Sequence, residues 1–484
     1  MLTPETGKLY DRAAVKDSRD PFYLLLNPRS VAVIGASSNP MKMGHQCLLS
    51  LREGSFTGPI YPIHPHEKEI LGIRAYPDLR HVTGDVDLAI LVLPASEALA
   101  VLSACQERNV RGAVIITAGF REIESPAGAA LQAEMAAVAN QTGIKIIGPN
   151  TFGMVNVHAN LNASFTPIFS HLKPGPISVV SQSGGVAHLI GYQALDEGIG
   201  LGKLIGLGNR CNVEFADLFP FLARDQQTQC LILLIEGLED PRRLIAAIRN
   251  FVSQKPVVAM KAGRYSASQK AARSHTGSMA GRYELYEGSL RQAGAIVRQT
   301  PEELLDLAKI LVMVSPPRGR NIAVVSFQAG PGILLTDEII RQGLSMASFL
   351  PRTQEAINQL LPPLTILSNP VDLAFAREEG IFGRLLGLLL QDENVDALVI
   401  FLLQHPFMTP AQIAGPLLRQ KKSTPKPILL CVNSPRGLIE KEIAELGEKG
   451  IPVYSLPRRT IQALKGLVEY GEVRARMAQD NKKR

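Results

Sequence analysis

The sequence has no tryptophan, no paired cysteines and no long apolar run. Its five cysteines are scattered along the chain without a C-x-x-C pair, which argues against a disulfide framework or a zinc site and favours a reducing environment. No run of 18 apolar residues occurs, and residues 1–20 are charged rather than signal-like, so neither a membrane span nor a secretory signal is expected. We therefore predict a cytoplasmic protein with no bound metal.

The charges do not favour nucleic acid as a ligand. The chain has 51 basic and 44 acidic residues, a net charge of +7, spread along its length. Such a diffuse excess suits small anionic ligands but lacks the basic patch that nucleic acid binding requires. With 484 residues and 46% apolar content, the chain is long enough for about three domains with large cores.

The first 150 residues alternate between strand and helix patterns. The strand candidates are short apolar runs that end in small or turn-forming residues: Val31–Ile34, Ile60–Ile63, Leu88–Leu93, Ala113–Thr117 and Lys145–Ile147. This alternation predicts a parallel sheet with right-handed crossovers. Ligands of such sheets bind beyond the carboxyl ends of the strands.

The expected NAD fingerprint is missing from this sheet. The first strand is followed by Gly35-Ala36-Ser37 rather than G-x-G-x-x-G, and the second ends at His64-Pro65-His66 without a ribose-binding acid. A Rossmann-like sheet for another nucleotide-bearing ligand is the better interpretation. Lys42, His66 and Lys68 are candidates for phosphate contacts, although each is individually more typical of a plain surface residue.

Two later segments share one motif, in which a strand is followed by a glycine-rich turn and a helix. In the first, Ile177–Val180 leads into Ser181-Gln182-Ser183-Gly184-Gly185, and in the second, Ile322–Ser326 leads into Gly330-Pro331-Gly332. Free N–H groups at such a helix start favour an anion, although a simply capped helix is equally compatible with the first segment. Between them, the strand candidate Cys230–Ile235 ends at Glu236, where ligands meet a sheet.

Lys261 to Gly281 form a basic, apolar-poor stretch. It carries four cationic side chains, no carboxylate and one imidazole, His275. A loop of this length is usually functional or disordered, and from the loop alone a solvated basic segment is as good an interpretation as a functional one.

Taken together, these motifs resemble the alpha subunit of ADP-forming acyl-CoA synthetases, relatives of succinyl-CoA synthetase. The resemblance covers Asn27 to Leu467. The motifs that carry it follow one another in the family's order: Val33–Ser37, Ile147–Asn150, Val180–Gly184, Ile235–Gly237, Ser274–Ser278, Asn369–Leu373 and Gly450–Tyr454.

The resemblance implies an α/β fold with an N-terminal Rossmann-like CoA-binding domain and two flavodoxin-like, succinyl-CoA synthetase-like domains. The expected division is a leader (1–28), the CoA-binding domain (29–160), a domain with the phosphohistidine loop (161–315) and a third domain (320–484).

The resemblance also implies roles for individual residues. Coenzyme A would be held by seven residues at the strand ends of the first domain: Gly35, Ala36, Ser37, Lys42, Pro94, Thr117 and Ala118. His275 would be the phosphorylated histidine, with Glu236 orienting its ring. The phosphoryl group would lie at two helix starts, at Ser183 and Gly184 and at Gly330 and Gly332. Asn150 and Thr151 would contact the acyl substrate, although the family commonly has cysteine where this chain has Thr151.

The chemistry of the residues agrees with these roles. An imidazole nitrogen can accept a phosphoryl group covalently, and fixed dipoles stabilise the transferred anion. The chain has no G-x-x-x-x-G-K-[ST] loop, so ATP or ADP, with Mg²⁺, is expected on an ATP-grasp beta partner. The family implies two alpha and two beta chains, and a small carboxylic acid or acyl-CoA as substrate.

Two other functions remain open. A CoA-binding or acyl-CoA-binding regulator without turnover would share the fold, although intact His275 and Glu236 argue against it. An NAD-linked oxidoreductase is the least favoured, because the glycine fingerprint and the ribose acid are both missing.

Overall fold

The computed structural model describes residues 20–123, 125–268, 282–362, 365–373, 380–403, 410–435 and 437–483. It divides into two compact units, Met1–Pro301 and Glu302–Arg484. Among the described residues, no helix is both long enough and apolar enough to cross a membrane.

The first unit contains two sheets with flanking helices. Its strands are β1 (Val31–Ile34), β2 (Ile60–Ile63), β3 (Glu69–Ile70), β4 (Ile73–Arg74), β5 (Leu88–Leu91), β6 (Gly112–Ile115), β7 (Lys145–Ile147), β8 (Gly153–Asn156), β9 (Leu161–Ser164), β10 (Pro174–Ser181), β11 (Leu201–Gly206), β12 (Cys230–Ile235), β13 (Val257–Lys261) and β14 (Ile296–Val297). Its helices are α1 (Tyr23–Leu26), α2 (Met43–Glu53), α3 (Ala98–Glu107), α4 (Pro126–Thr142), α5 (Gly184–Asp196), α6 (Phe215–Arg224), α7 (Pro241–Phe251) and α8 (Tyr283–Ala293).

Both large sheets of this unit have a switch point in their strand order. The first sheet is parallel, in the order β2-β1-β5-β6-β7. Successive strands are added on one side of β1 and then on the other, so the switch point lies between β1 and β5. The second has the order β14-β13-β12-β10-β11-β8-β9, with its reversal between β10 and β12. Crevices at the carboxyl ends of strands beside such switch points are the usual ligand sites of α/β sheets.

The second unit is a smaller α/β body. Its helices are α9 (Pro301–Met313), α10 (Ala329–Arg341), α11 (Pro351–Leu360), α12 (Ile381–Gln391), α13 (Pro410–Ser423), α14 (Glu440–Glu448) and α15 (Pro457–Lys483). Its strands are β15 (Asn321–Ser326), β16 (Ser345–Met346), β17 (Val371–Asp372), β18 (Ala397–Leu403), β19 (Ile428–Asn433) and β20 (Val453–Tyr454). The sheet is parallel in the order β16-β15-β18-β19-β20, and β17 also pairs with β15.

The predicted fold class is confirmed, with two local differences. The antiparallel hairpin β8–β9 joins the second sheet, although the sequence-based boundary falls at residue 160. Leu25 and Leu26, which belong to the expected leader, are buried. The apolar helix α1 therefore ends inside the core of the first unit, where Leu25 lies against Gly112.

A buried ion pair joins Lys203, on the strand β11, to Asp225, at the end of α6. Lys203 is 1% exposed, and its Nζ lies 2.6 Å from the Asp225 carboxylate, which also accepts a hydrogen bond from the Thr228 hydroxyl. Burial raises the pKa of Asp225, but the charge and the hydrogen bond of Lys203 outweigh it, so the pKa lies below its usual value. The carboxylate therefore stays ionised in the folded protein because Lys203 faces it.

Replacing Lys203 by methionine should destabilise the first unit by about 3–5 kcal/mol, because a buried carboxylate loses its partner. Urea unfolding followed by circular dichroism measures this, since the chain has no tryptophan for fluorescence. Arg291→Ala, which removes an exposed helix-surface pair with Glu287, is the control and should cost no more than about 0.5 kcal/mol.

The difference between wild type and Lys203→Met should also depend on pH. Because the folded pKa of Asp225 is lowered from 3.8, the stabilisation is complete above that value and is lost as the pH falls through the folded pKa. The free energies of unfolding of wild type and Lys203→Met should therefore become more similar at acid pH. Equal stability at pH 7 would contradict this account of the pair.

Candidate functional site

A cavity of about 1320 Å³ lies within the first unit, lined by turns at the carboxyl ends of both large sheets. It is larger than the ~300–1,000 Å³ typical of sites for small ligands. Its lining comes from the turns after β1, β5 and β6 on one side and after β10, β11 and β12 on the other. A single elongated ligand can therefore contact the strand ends of both sheets.

The cavity brings together most residues that the sequence singled out. Those that line it are Gly35, Ala36, Ser37, Lys42, Pro94, Thr117, Ala118, Asn150, Thr151, Ser183, Gly184 and Glu236. Gly330 and Gly332 lie in the second unit, in the first turn of α10. His275 lies outside the described residues.

Two glycines allow the start of α2 to pack closely against the turn that follows β1. Gly35 has φ +89°, and a Cβ there would lie 2.3 Å from the Val92 carbonyl oxygen. A Cβ on Gly44 would lie 2.0 Å from the Gly35 carbonyl oxygen. The start of α2 thus packs on the turn, and its free N–H groups and Lys42 form an electropositive side of the cavity.

Asn209 connects three of the loops that line the cavity. It is 4% exposed, and its side-chain nitrogen donates to Gln132 (3.0 Å) and to Glu122. Its side-chain oxygen accepts from the Asn150 side chain at 3.3 Å, and its backbone N–H donates to the Pro149 carbonyl at 2.9 Å. The loops after β6, β7 and β11 are therefore held as one body.

Asn150 and Thr151 are fixed by different means. Asn150 has φ +56°, a left-handed conformation that asparagine tolerates better than most residues. Its N–H donates to the Thr117 carbonyl at 2.9 Å. The Thr151 hydroxyl donates to the Gly206 carbonyl and accepts from the Gly153 N–H at 3.1 Å. Because both hydrogen bonds of the Thr151 hydroxyl are made to the backbone, the side chain contributes mainly apolar surface to the cavity.

The start of α5 and the end of β12 are held together by one side chain. The Gln182 side-chain oxygen accepts hydrogen bonds from the N–H groups of Glu236 and Gly237, both at 3.0 Å. Ser183 is the N-cap of α5, where its hydroxyl accepts from the Val186 N–H. The backbone of the half-buried Glu236 is thus fixed relative to a helix start that favours anions.

A buried lysine lies at the same edge of the sheet as Glu236. Lys261, at the end of β13, is paired in register with Ile235 and is 3% exposed. Burial lowers the pKa of Lys261, and the Glu236 charge partly opposes this. The basic stretch that contains His275 therefore leaves the sheet at Lys261, beside the strand end that carries Glu236.

Several lining residues were not identified from the sequence. Asn209, Gln182 and Arg80 are polar, while Phe152, Phe165 and His188 form an aromatic part of the wall. Only Gln182 had a signal, since it lies inside the Ser-Gln-Ser-Gly-Gly motif. Among the described residues, no group of three or more His, Cys, Asp or Glu side chains is arranged to hold a metal ion.

Three family models match the chain one after another. Residues 29–156 match a CoA binding domain, residues 174–311 a succinyl-CoA ligase like flavodoxin domain and residues 322–467 a ligase-CoA domain.

Curated relatives match along nearly the whole chain. The chain is 39% identical over 449 residues to the alpha subunit of acetate–CoA ligase [ADP-forming] II from Pyrococcus furiosus, covering 92% of this chain and 96% of that protein. It is 34% identical to acetate–CoA ligase [ADP-forming] I from Archaeoglobus fulgidus, covering 93% of this chain but 64% of that longer protein.

A solved structure has the same fold. It is the dinucleotide forming acetyl-coenzyme A synthetase 1 of Candidatus Korarchaeum cryptofilum in complex with phosphate and ADP. The TM-score is 0.85 at 29% sequence identity, and the match covers 95% of this chain and 98% of that chain.

Replacing Asn209 by alanine should loosen the cavity, because buried polar groups on three loops lose their partners. We expect the free energy of unfolding to fall by about 1–3 kcal/mol, and amide hydrogen exchange to accelerate at residues 117–123 and 148–151. Exchange measured by mass spectrometry tests both loops directly. Asn250→Ala, at an exposed position on α7, is the control, and unchanged exchange in Asn209→Ala would contradict the role of this residue.

Proposed function

Because the chain belongs to the family of ADP-forming acetate–CoA ligase alpha subunits, we propose that its cavity binds an acyl-CoA and that His275 carries the phosphoryl group of the acyl phosphate formed from acyl-CoA and phosphate. The main support for this proposal is that the turns predicted to bind coenzyme A line the same cavity as the start of α5 and Glu236. The resemblance implies a role in phosphoryl transfer for this helix start and for Glu236.

The relatives confirm the resemblance noted in the sequence, and with it the acid–thiol ligase class. They favour the ligase over the regulator of the same fold that the sequence left open. The cytoplasmic location, the acid used and the arrangement of subunits belong to the proposal.

Coenzyme A is assigned to the first sheet. Its pyrophosphate would lie at the turn Gly35-Ala36-Ser37, where the start of α2 and the Lys42 ammonium favour a negative charge. Pro94, Thr117 and Ala118 would line the site further along. The Thr117 hydroxyl donates to the Leu93 carbonyl at 2.6 Å, so these two strand ends are tied together under the ligand.

The phosphoryl group is assigned to the start of α5. Phosphate would attack the acyl-CoA carbonyl beside Asn150, breaking the C–S bond and forming an acyl phosphate and CoA. An imidazole nitrogen of His275 would then attack phosphorus, breaking the P–O bond to the acyl oxygen and releasing the carboxylate. ADP would finally take the phosphoryl group, giving ATP and restoring His275.

The described residues support this series of reaction steps in two ways. Ser183 and Gly184 place the N–H groups of a 13-residue helix at the cavity, where they stabilise a transferred anion without moving. Glu236, whose backbone N–H is held by Gln182, would accept a hydrogen bond from the other nitrogen of the His275 ring, which would fix the tautomer as carboxylates do for catalytic histidines. The phosphate role of Gly330 and Gly332, which lie in the first turn of α10 in the second unit, stays a prediction from the resemblance.

The nucleotide is assigned to a partner. We propose an ATP-grasp beta subunit that binds ADP or ATP with Mg²⁺, in an assembly of two alpha and two beta chains. The matched Archaeoglobus relative is longer than this chain, which covers 64% of it.

Gly35→Ala should weaken CoA binding more than about tenfold, a loss of roughly 1.4 kcal/mol. The added Cβ collides with the Val92 carbonyl and the backbone has a positive φ. Gly143→Ala is the matched control, because Gly143 has a similar φ of +79° with no atom within 4 Å. Its CoA dissociation constant, measured by calorimetry, should stay within about twofold of wild type by the same relation. Equal affinity in both variants would contradict the assignment.

His275→Ala should abolish labelling by radioactive ATP in the presence of the beta partner and Mg²⁺. Wild type should give a label that is labile to acid and stable to base, as a phosphohistidine is. His81→Ala, at an exposed histidine, should label normally, and Glu236→Gln should accumulate less label. Persistent label in His275→Ala would sink the proposed intermediate.

A further inference from the structure

Arg121 connects two loops that carry different parts of the proposed reaction. It follows Thr117 closely in the chain, in the turn after β6 of the first sheet. Its guanidinium pairs with the Glu239 carboxylate in the loop after β12 of the second sheet (residues 236–240), which also carries Glu236. One ion pair therefore joins the turn assigned to coenzyme A to the loop assigned to phosphoryl transfer.

The guanidinium of Arg121 is fixed by more than this pair. It also donates to the Asn209 carbonyl oxygen, while Glu122, the next residue in the chain, accepts a hydrogen bond from the Asn209 side chain. The side chain of Arg121 is 18% exposed and that of Glu239 is 56% exposed. A planar guanidinium that bonds two oxygens in set directions is a rigid support, so Arg121 is the fixed partner and determines where Glu239 lies.

A second guanidinium lies close to this pair. The side chain of Arg210 is fully buried and pairs with Glu214 at 3.0 Å. Its Nε and Nη2 have no hydrogen-bond partner within the part of the chain that the structure describes. Burial lowers the pKa of Arg210, and the charges of Glu214 and Glu239 oppose this. Glu239 thus has a second cation within electrostatic range, and Arg121 decides which of the two it contacts.

The loop after β12 is also tied to the start of α5. The Gln182 side-chain oxygen accepts hydrogen bonds from the N–H groups of Glu236 and Gly237, both at 3.0 Å. The next residue, Ser183, is the N-cap of α5. A ligand at the start of α5 and a ligand at the turn after β6 therefore act on one loop, the first through Gln182 and the second through Arg121.

We propose that Arg121 is a positioning residue that makes the binding of CoA and of phosphate cooperative. This inference rests on the proposed function, which assigns CoA to the first sheet and the phosphoryl group to the start of α5. CoA at Thr117 would hold Arg121, and with it Glu239, so that the loop after β12 is ordered once for two ligands. Charge alone predicts the opposite sign, because two anions in one cavity repel each other.

The test is calorimetric titration of the full chain with CoA, without and with saturating inorganic phosphate. In wild type, phosphate should tighten CoA binding by at least about fivefold, the lower end of the coupling between linked sites. Arg121→Met and Glu239→Gln should each reduce this factor to below about twofold and change the affinity for CoA alone by less than about twofold. Because the Glu239 side chain is mostly exposed, Glu239→Gln tests the pair even if Arg121→Met does not fold.

Two further variants separate positioning from a general loss of charge. Arg243→Gln removes another exposed ion pair of the second sheet's helices, with Asp217, and should keep the full effect of phosphate. The double variant of Arg121 and Glu239 should lose no more of the effect than either single variant, because both substitutions act through one pair. Additive losses in the double variant would contradict the coupling through this pair.

Amide hydrogen exchange follows the position of the loop directly. In wild type, CoA should slow exchange at residues 117–120 and also at residues 236–240, since local order in both segments is predicted to depend on the ligand. In Arg121→Met the protection by CoA should remain at residues 117–120 and be lost at residues 236–240. Protection of residues 236–240 that persists in this variant would overturn the inference.

The outcomes separate this inference from the proposed function. If CoA fails to bind wild type, the proposed function is wrong and the inference falls with it. If CoA binds but phosphate weakens its binding or leaves it unchanged, only the role of Arg121 is wrong. The same holds if the gain from phosphate persists undiminished in Arg121→Met and Glu239→Gln.

Discussion

The hydrogen bonds of Asn209 are the constraint on which the cavity depends. Its backbone and side chain join the loops that follow β6, β7 and β11, which come from both sheets of the first unit. Burial raises the pKa of Glu122, but the hydrogen bonds from Gly119, Asn209 and Phe120 outweigh it and lower the pKa overall. An ionised carboxylate beneath the loops therefore strengthens the hydrogen bonds that fix their positions. The strand ends of two separate sheets can thus serve one ligand.

Backbone dipoles contribute to the electrostatics of the site beside its cations. The starts of α2 and α5 lie at the cavity, while the buried Lys261, at the end of β13, has its pKa lowered by burial. Fixed N–H groups stabilise an anion without the strong attraction of a full positive charge. That balance suits a phosphoryl group that has to be bound, transferred and released again.

Structural features that depend on neighbouring residues in the chain could be predicted from the sequence. Short apolar runs that end in turns marked β1, β10 and β12. The family resemblance, carried by motifs at such turns, implied the twelve predicted residues that line the cavity. The strand β11 was missed because Lys203 and two glycines interrupt its apolar pattern, and Lys203 is tolerated there only because Asp225 faces it. Asn209 was missed for a similar reason, since its partners lie up to 87 residues away in the chain and pair with it only after folding.

The way in which His188 is held has a consequence for the fidelity of the chemistry. Its imidazole lies one helical turn from Gly184, where the migrating phosphorus would rest, yet both ring nitrogens are already engaged, by a carbonyl and by a hydroxyl. A lone pair that accepts a hydrogen bond is a poor nucleophile, and a nitrogen that bears hydrogen has none to offer. If an acyl phosphate forms beside Gly184 as proposed, the His188 imidazole would lie close to it without forming a dead-end adduct.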